Sequence, residues 1–529
     1  MDFIAANIFQ WIRVPGWADV LFFSILVVLV YLYFTSELIN KRHLTAMVLV
    51  AVVIFLGANI FLNFQQKSPP IERRIAIFPL SINKDGGDNN SALRLAFWDV
   101  VNQQIDRRIS PKIAVVKSVD LLEIVNGDSV GDPHYCQRIA KLIGADDVLI
   151  GDADFPQKGN LHCLLMRVGK LDTLFEINTA VAPETIAAEA NKITAAVFDK
   201  MGIREKSAAN ISVKEINPQS YFYFLQAQKL FSDKNYPGTM EMAGKAVAAD
   251  SNFAEAVLLL GKAHFFSGLK QKENGKLPVE SFAAAFDCFS RAIALDSTLA
   301  ESYAFLGEYY IHKKRWSLAE WNLKKALELN PRVARIYLNL SRLHPSRFHK
   351  LGFRDETELY RRAIEVNPCN QDGYLMLADY YLFQNQKDDA IRTLESYLKI
   401  NPNSVPVLMA LGKNYMLKRD VLKIIEVYNR VIALEPDNAD AFYNLGVWYY
   451  NSDDFENAEK FFQRAVAINN HLNSHLYLAY LYEMKGEMDK AIEQLRYRIH
   501  YRKGFDDEFA EDARKHLYEL LHPDTEDKK

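Results

Sequence analysis

The sequence predicts a multidomain chain: two transmembrane helices, a small α/β domain with a mixed sheet, and a long all-α solenoid of helical hairpins. Three observations predict it. Two uncharged apolar runs stand near the start, Val20 to Phe34 and Ala46 to Phe64. Strand-like and helix-like segments then alternate from Arg73 to Ile203. From Pro218 onward a leucine followed by a small residue keeps returning at near-constant spacing.

The chain has 529 residues, room for several domains. Lys+Arg is 63 and Asp+Glu is 66, a near balance. Nucleic-acid binders carry a clear basic excess, so no nucleic-acid partner is expected. Cys136, Cys163, Cys288 and Cys369 are scattered. They give neither a disulfide framework nor a metal motif, and no cofactor is expected.

Each apolar run is near the length of a bilayer-spanning helix, the first with help from its flanks. Spans of about 18–35 and 45–64 are expected, inside an anchor of residues 1–66. Trp17, Tyr31 and Tyr33 stand near run ends, as interfacial aromatics do. A cleaved signal peptide fits poorly, because the leader's basic residue is Arg13 alone and a second run follows. Phe3, Ile4, Ile8, Phe9, Trp11 and Ile12 give the first fourteen residues an apolar side for the interface. Lys41 and Arg42 place the loop between the runs in the cytoplasm and the C-terminal part beyond the membrane. Lys67, Arg73 and Arg74 argue for the reverse, so both sides stay open.

Ser68-Pro69-Pro70 ends the second run, and RRIAIFPL (Arg73 to Leu80) reads as a strand. After a Gly/Asp/Asn loop, Leu93, Phe97, Val100, Val101 and Ile105 share one helical face. KIAVVKS is a second strand, Tyr135 to Ile143 a helix closed by Gly144, and DVLIGDADF a third strand. LHCLLMRV and DTLFEINTAV form a hairpin turning at Gly169-Lys170, and a last helix stops at Gly202. The order implies a mixed sheet with helices packed on it, over residues 72–203.

These strings in this order resemble the TolB-like amino-terminal domain, over about Arg73 to Ile203. That domain often stands between a transmembrane helix and helical repeats in bacterial envelope proteins. The hairpin here reads VGKLDTLFE, where the family has Asp-x-x-Thr-Gly. The resemblance implies a non-catalytic interaction domain in the periplasm of a protein held in the bacterial inner membrane.

Three chemical readings of this domain fail on residue type. Gly86-Gly87 suggests a phosphate turn, but Asp85 and Asp88 flank it and no Gly-Lys-Ser/Thr follows. Asp152 and Asp154 share a strand face and read as a solvated edge rather than a cation site. His134 with Cys136 and His162 with Cys163 suggest zinc, yet adjacent strand residues point to opposite faces.

In the C-terminal half, Leu260-Gly261, Leu306-Gly307, Leu340-Ser341, Leu377-Ala378, Leu411-Gly412, Leu445-Gly446 and Leu478-Ala479 are spaced 46, 34, 37, 34, 34 and 33 apart. Pro331, Pro368, Pro402 and Pro436 close units. This pattern is similar to tetratricopeptide repeats (TPR), which implies a right-handed solenoid. Eight units over 218–505 are expected, after a linker at 204–217 and before a capping helix and polar tail at 506–529. An insertion falls at Ser267 to Ser281, and the fourth unit is irregular at HPSRFHKLGFRDE. One hairpin cannot bury both its faces, so the motif must be stacked.

In the resembled family the first helix of each pair lines the concave side, and two positions a heptad apart point inward. Here these are Phe224/Phe231, Leu258/Phe265, Ala304/Ile311, Leu338/Pro345, Leu375/Leu382, Met409/Met416, Tyr443/Tyr450 and Leu476/Glu483. They read either as an apolar track for a partner peptide or as ordinary core. A second candidate is the basic loop of Arg342, Arg347, His349, Lys350 and Arg354, with Phe348 and Phe353 interleaved. It reads as a meeting place for acidic groups or as a solvated loop. The functional expectation is a membrane-anchored scaffold, not an enzyme, which binds proteins through its concave face and lipid through its N-terminal helices. The alternative is a small-ligand sensor subunit or enzyme using the α/β domain.

Overall fold

The computed structural model describes residues 217–522 apart from 274–275 and 503–506. Within 70–203 it describes the sheet and its helices, apart from 80, 83–97, 99, 107, 111, 122–123, 126–128, 131, 154–159, 170–171 and 181–185.

The strands are β1 (Arg73–Ile77), β2 (Ser81–Ile82), β3 (Ile113–Val116), β4 (Asp147–Ala153), β5 (Asn160–Arg167) and β6 (Thr173–Ala180). Their order is β3-β1-β4-β5-β6, with β2 also beside β4. β3, β1 and β4 run parallel, and β5 and β6 are antiparallel additions. The three parallel strands are apolar on both faces, as helices on either side require. On one face Ile75, Ile77, Val115, Leu149 and Leu165 pack against the helical residues 100–106 and α3 (Ile186–Met201). On the other, Ala76, Val116, Val148 and Ile150 pack against α2 (Pro133–Leu142), which follows the short α1 (Ser118–Leu121). Gly144 and Gly169 take φ of +65° and +85°, ending α2 and turning the β5–β6 hairpin.

The repeats form eight successive helical pairs among the described residues. They are α4 (Pro218–Ser232) with α5 (Tyr236–Ala249), α6 (Ala254–Glu273) with α7 (Val279–Leu295), and α8 (Ala300–His312) with α9 (Trp316–Leu329). In the fourth pair α10 (Ala334–Leu340) and α11 (Pro345–His349) face α12 (Glu356–Val366). Then come α13 (Gln371–Phe383) with α14 (Lys387–Ile400), and α15 (Val405–Lys418) with α16 (Val421–Leu434). The last are α17 (Ala439–Asn451) with α18 (Phe455–Asn469), and α19 (Leu472–Met484) with α20 (Met488–His500); α21 (Glu508–Leu521) packs on their end. First helices of neighbouring units approach one another more closely than second helices do, so the stack curves with first helices inside.

The small residue after each leucine has a steric cause. A Cβ on Gly446 would sit 2.7 Å from the Phe462 ring, and one on Gly412 would sit 2.6 Å from Tyr428. The turns between paired helices recur too: Lys234, Lys314, Asn385, Arg419 and Asp453 all adopt φ between 55° and 61°. The fourth unit breaks because Pro345 cannot donate inside a helix and forces His344 to an extended ψ of 137°.

The expectation of two transmembrane helices is corrected. Among the described residues no helix is long and apolar enough to cross a membrane. Among these helices α6 has 20 residues, but Glu255, Lys262, Lys270, Lys272 and Glu273 would all enter hydrocarbon. The spans expected at 18–35 and 45–64, like the linker at 204–216 and the tail from 523, lie outside the described residues. Anchoring, lipid as a partner, the bacterial inner membrane and the periplasm are withdrawn with those spans.

Candidate functional site

The inner side of the stack divides in two. In units two to four it is closed by its own charges. Lys262 pairs with Glu301 at 2.7 Å across one unit boundary, and Glu308 pairs with Arg335 at 2.9 Å and Arg342 at 3.4 Å across the next. Arg335 also lies over the Phe305 ring, 4.5 Å from its centre. Burial opposes ionisation of Glu308, but the two guanidiniums outweigh it and its carboxyl sits below the ordinary range. Beneath this ladder Leu258 and Phe265 are buried, the latter under Phe282, Phe289, Phe305 and His312, while Phe224 is buried in unit one. Ala304, Ile311 and Leu338 are buried as well.

From unit five onward the stripe is half-open. Leu375, Leu382, Met409, Met416, Tyr443 and Tyr450 are each partly exposed, and so is Phe231 at the far end. Their α-helices place them at equivalent positions, so they form one line across successive first helices. Phe383 and Leu417, at the ends of α13 and α15, are 85% and 53% exposed and extend the apolar surface to the rim.

The basic loop is neutralised within the repeats. Arg342 meets Glu308, Arg347 meets Glu320, and Arg354 meets Glu358 at 3.3 Å. His349 Nε2 hydrogen-bonds the Arg354 carbonyl at 2.9 Å, while Lys350 is exposed. Phe348 and Phe353 are core residues.

Sequence reasoning missed where the α/β domain sits. It docks along the edge where second helices turn into the next first helices. The Arg332 guanidinium, between α9 and α10, pairs with Asp106 at 3.0 Å and donates to the carbonyls of Ile109 and Ser110. Lys117 reaches the same carboxylate at 2.9 Å. Burial would depress the Lys117 ammonium, but Asp106 outweighs it and the net shift is upward. Farther along, the Ile71 amide donates to Glu365 at 3.1 Å and Arg74 donates to the Glu365 carbonyl at 2.6 Å. The apolar cluster under α2 continues into Cys369, Tyr374 and Tyr397.

The metal readings find no ligand set: no metal-binding group of His, Cys, Asp or Glu exists among the described residues. Cys163 is buried while His162 hydrogen-bonds Glu176 at 2.8 Å on the other side of the sheet. Gly86-Gly87 and Asp154 lie outside the described residues.

Family models described as tetratricopeptide repeats match residues 359–392, 425–453 and 441–476. The matched residues all lie in the repeats. A BBSome complex member, BBS4 of Mus musculus, is 28% identical over 25% of this chain and 26% of its own length. Anaphase-promoting complex subunit 3 of Schizosaccharomyces pombe is 24% identical over 31% of this chain and 24% of its own. The chain thus spans about a quarter of the length of these curated relatives. The solved APC/C hetero-tetramer Cut9–Hcn1 aligns with a TM-score of 0.40 at 16% identity, covering 64% of this chain and 60% of that one. These relatives are named as members or subunits of complexes. The matched stretches, 359–392 and 425–476, are similar to tetratricopeptide repeats and share the Leu-small pattern described above.

Proposed function

We propose that this chain is a non-catalytic scaffold that holds a segment of a partner protein along the inner side of repeats five to eight. The observation that carries the reading is the half-open line from Leu375 to Tyr450, next to an upstream half sealed by Lys262–Glu301 and Glu308–Arg335. A preformed apolar line binds an extended or helical segment with little ordering cost on the scaffold. The docked α/β domain adds rigidity through Arg332–Asp106 and the Glu365 contacts. The test is photo-crosslinking in the native cell from Met409 and Met416, with Lys460 on the outer α18 as comparison. Discrete protein adducts from the first two and none from the third are expected. Equal labelling at all three, or none from the inner pair, overturns the reading.

A further inference from the structure

We propose that the downstream end of this inner side receives a basic segment of the partner. An arginine or lysine side chain would sit among the rings of Tyr443, Tyr450, Tyr477 and Tyr480, held by the carboxylates around them. This rests on the scaffold reading and adds the partner's chemistry to it.

The four tyrosines come from the first helices of two neighbouring units, α17 and α19. Ring centres of Tyr443 and Tyr477 are 5.8 Å apart, Tyr450 and Tyr477 5.3 Å, and Tyr477 and Tyr480 6.2 Å. All four are partly exposed, although Phe462 stacks on one face of Tyr477 at 5.0 Å and His471 lies against Tyr443 at 4.5 Å. Each ring carries negative density on its face, which attracts a cation within about 6 Å.

Carboxylates surround the cluster. Asp440 lies near Tyr443, Glu483 near Tyr450, Asp512 near Tyr477 and Tyr480, and Glu519 near Tyr480. Burial first, and these carboxylates after it, keep the phenols protonated, with Tyr480 pushed up to about 12. The cation beside Tyr443 is Arg498, which is bound to Asp507 at 2.5 Å. Asp440 shares a contact with His471 at 3.1 Å, and Glu483 one with His516 at 2.6 Å. Asp440 and Asp512 are exposed.

The charge of the whole chain is segregated in the same sense. Between Pro436 and Leu521 there are 16 Asp/Glu and 10 Lys/Arg, a net charge of −6. The full chain is −3, so everything outside that stretch carries a net +3. A negative, aromatic surface selects a positive occupant through both steering and contact. The neighbouring first helix upstream carries the partly exposed Met409 and Met416, so the fitting occupant is a polypeptide with apolar residues beside its cation, not a lone ion.

The test uses the full chain and short labelled peptides in which leucines are followed by paired arginines. Matched peptides carry citrulline, the uncharged isostere, or glutamate in place of arginine. Fluorescence anisotropy should show the arginine peptide binding about tenfold tighter than the citrulline one. Raising salt from about 50 to 300 mM should shrink that gap. Asp440→Asn with Asp512→Asn should erase the preference without moving the melting temperature; if the pair misfolds, Asp512→Asn alone should at least halve it. Equal binding of all three peptides, or tighter binding of the glutamate one, overturns the inference and leaves the scaffold standing. Failure of every peptide to bind also overturns it, and crosslinking from Met409 then decides the scaffold reading separately.

Discussion

Arg332 and Asp106 form an ion pair at 3.0 Å whose side chains are only 7% and 9% exposed. The pair joins a turn of the repeats to the helix behind the β-sheet. Without Arg332 the Asp106 carboxylate keeps Lys117 at 2.9 Å, but the carbonyls of Ile109 and Ser110 lose their donor. Arg332→Met should therefore cost about 2 kcal/mol, read as a lower urea midpoint. Hydrogen exchange at residues 109–116 should quicken with it, because Arg332 also holds the carbonyls of Ile109 and Ser110. Lys460→Met, which removes a pair on the solvent side of α18, should leave the midpoint unchanged.

Glu308 makes stability depend on pH. Its folded-state value is lowered by Arg335 and Arg342 against the opposing effect of burial, while the unfolded chain titrates near 4.5. The contribution is complete above about 4.5 and is lost as pH falls through the lowered folded value. A Glu308→Gln variant should have a flatter stability–pH profile below pH 5 than the parent, measured by denaturant titration at each pH.

The steric reading of the Leu-small pair predicts opposite signs at two glycines. Gly412→Ala places a methyl 2.6 Å from the buried Tyr428 ring and should destabilise by about 1–3 kcal/mol. Gly244→Ala, inside α5 with nothing within 4 Å of the added methyl, should stabilise by up to about 1 kcal/mol. Thermal melts of the two variants distinguish packing from propensity.

Arg419 closes α15 at φ +58°, a conformation that disfavours a side chain. Arg419→Gly should gain about 0.5–1 kcal/mol, since relief of that strain exceeds the added unfolded-chain freedom. Its neighbour Lys418 pairs with Asp388 and should keep that contact, which a crystal structure of the variant would check.

The repeats were legible because their signature is local. Leu445-Gly446 and Phe462 lie within one hairpin, and steric need writes itself into the spacing. The mixed sheet was legible for the same reason, from apolar strands punctuated by Gly144 and Gly169. The docking of sheet on repeats was not, since Arg332 and Asp106 are 226 residues apart and Ile71 and Glu365 are 294 apart. Helical spacing aligned the inward stripe but carried no record of what covers it. Phe265 vanishes beneath four rings while Met409 stays half-open. The basic loop looked free because its partners Glu308 and Glu320 belong to the preceding unit. The membrane expectation came from two apolar runs and their flanking residues, and no helix among the described residues sustains it.

A stack of like hairpins behaves as a spring, each joint yielding a little under load. The interruption at Pro345 ought to be the softest joint, with α10 only 7 residues long. The sheet is bolted across that joint, at Asp106 on one side and Glu365 on the other. Elasticity is given up where bending would be easiest. Bending about Pro345 would have to part the Arg332–Asp106 and Ile71–Glu365 contacts first.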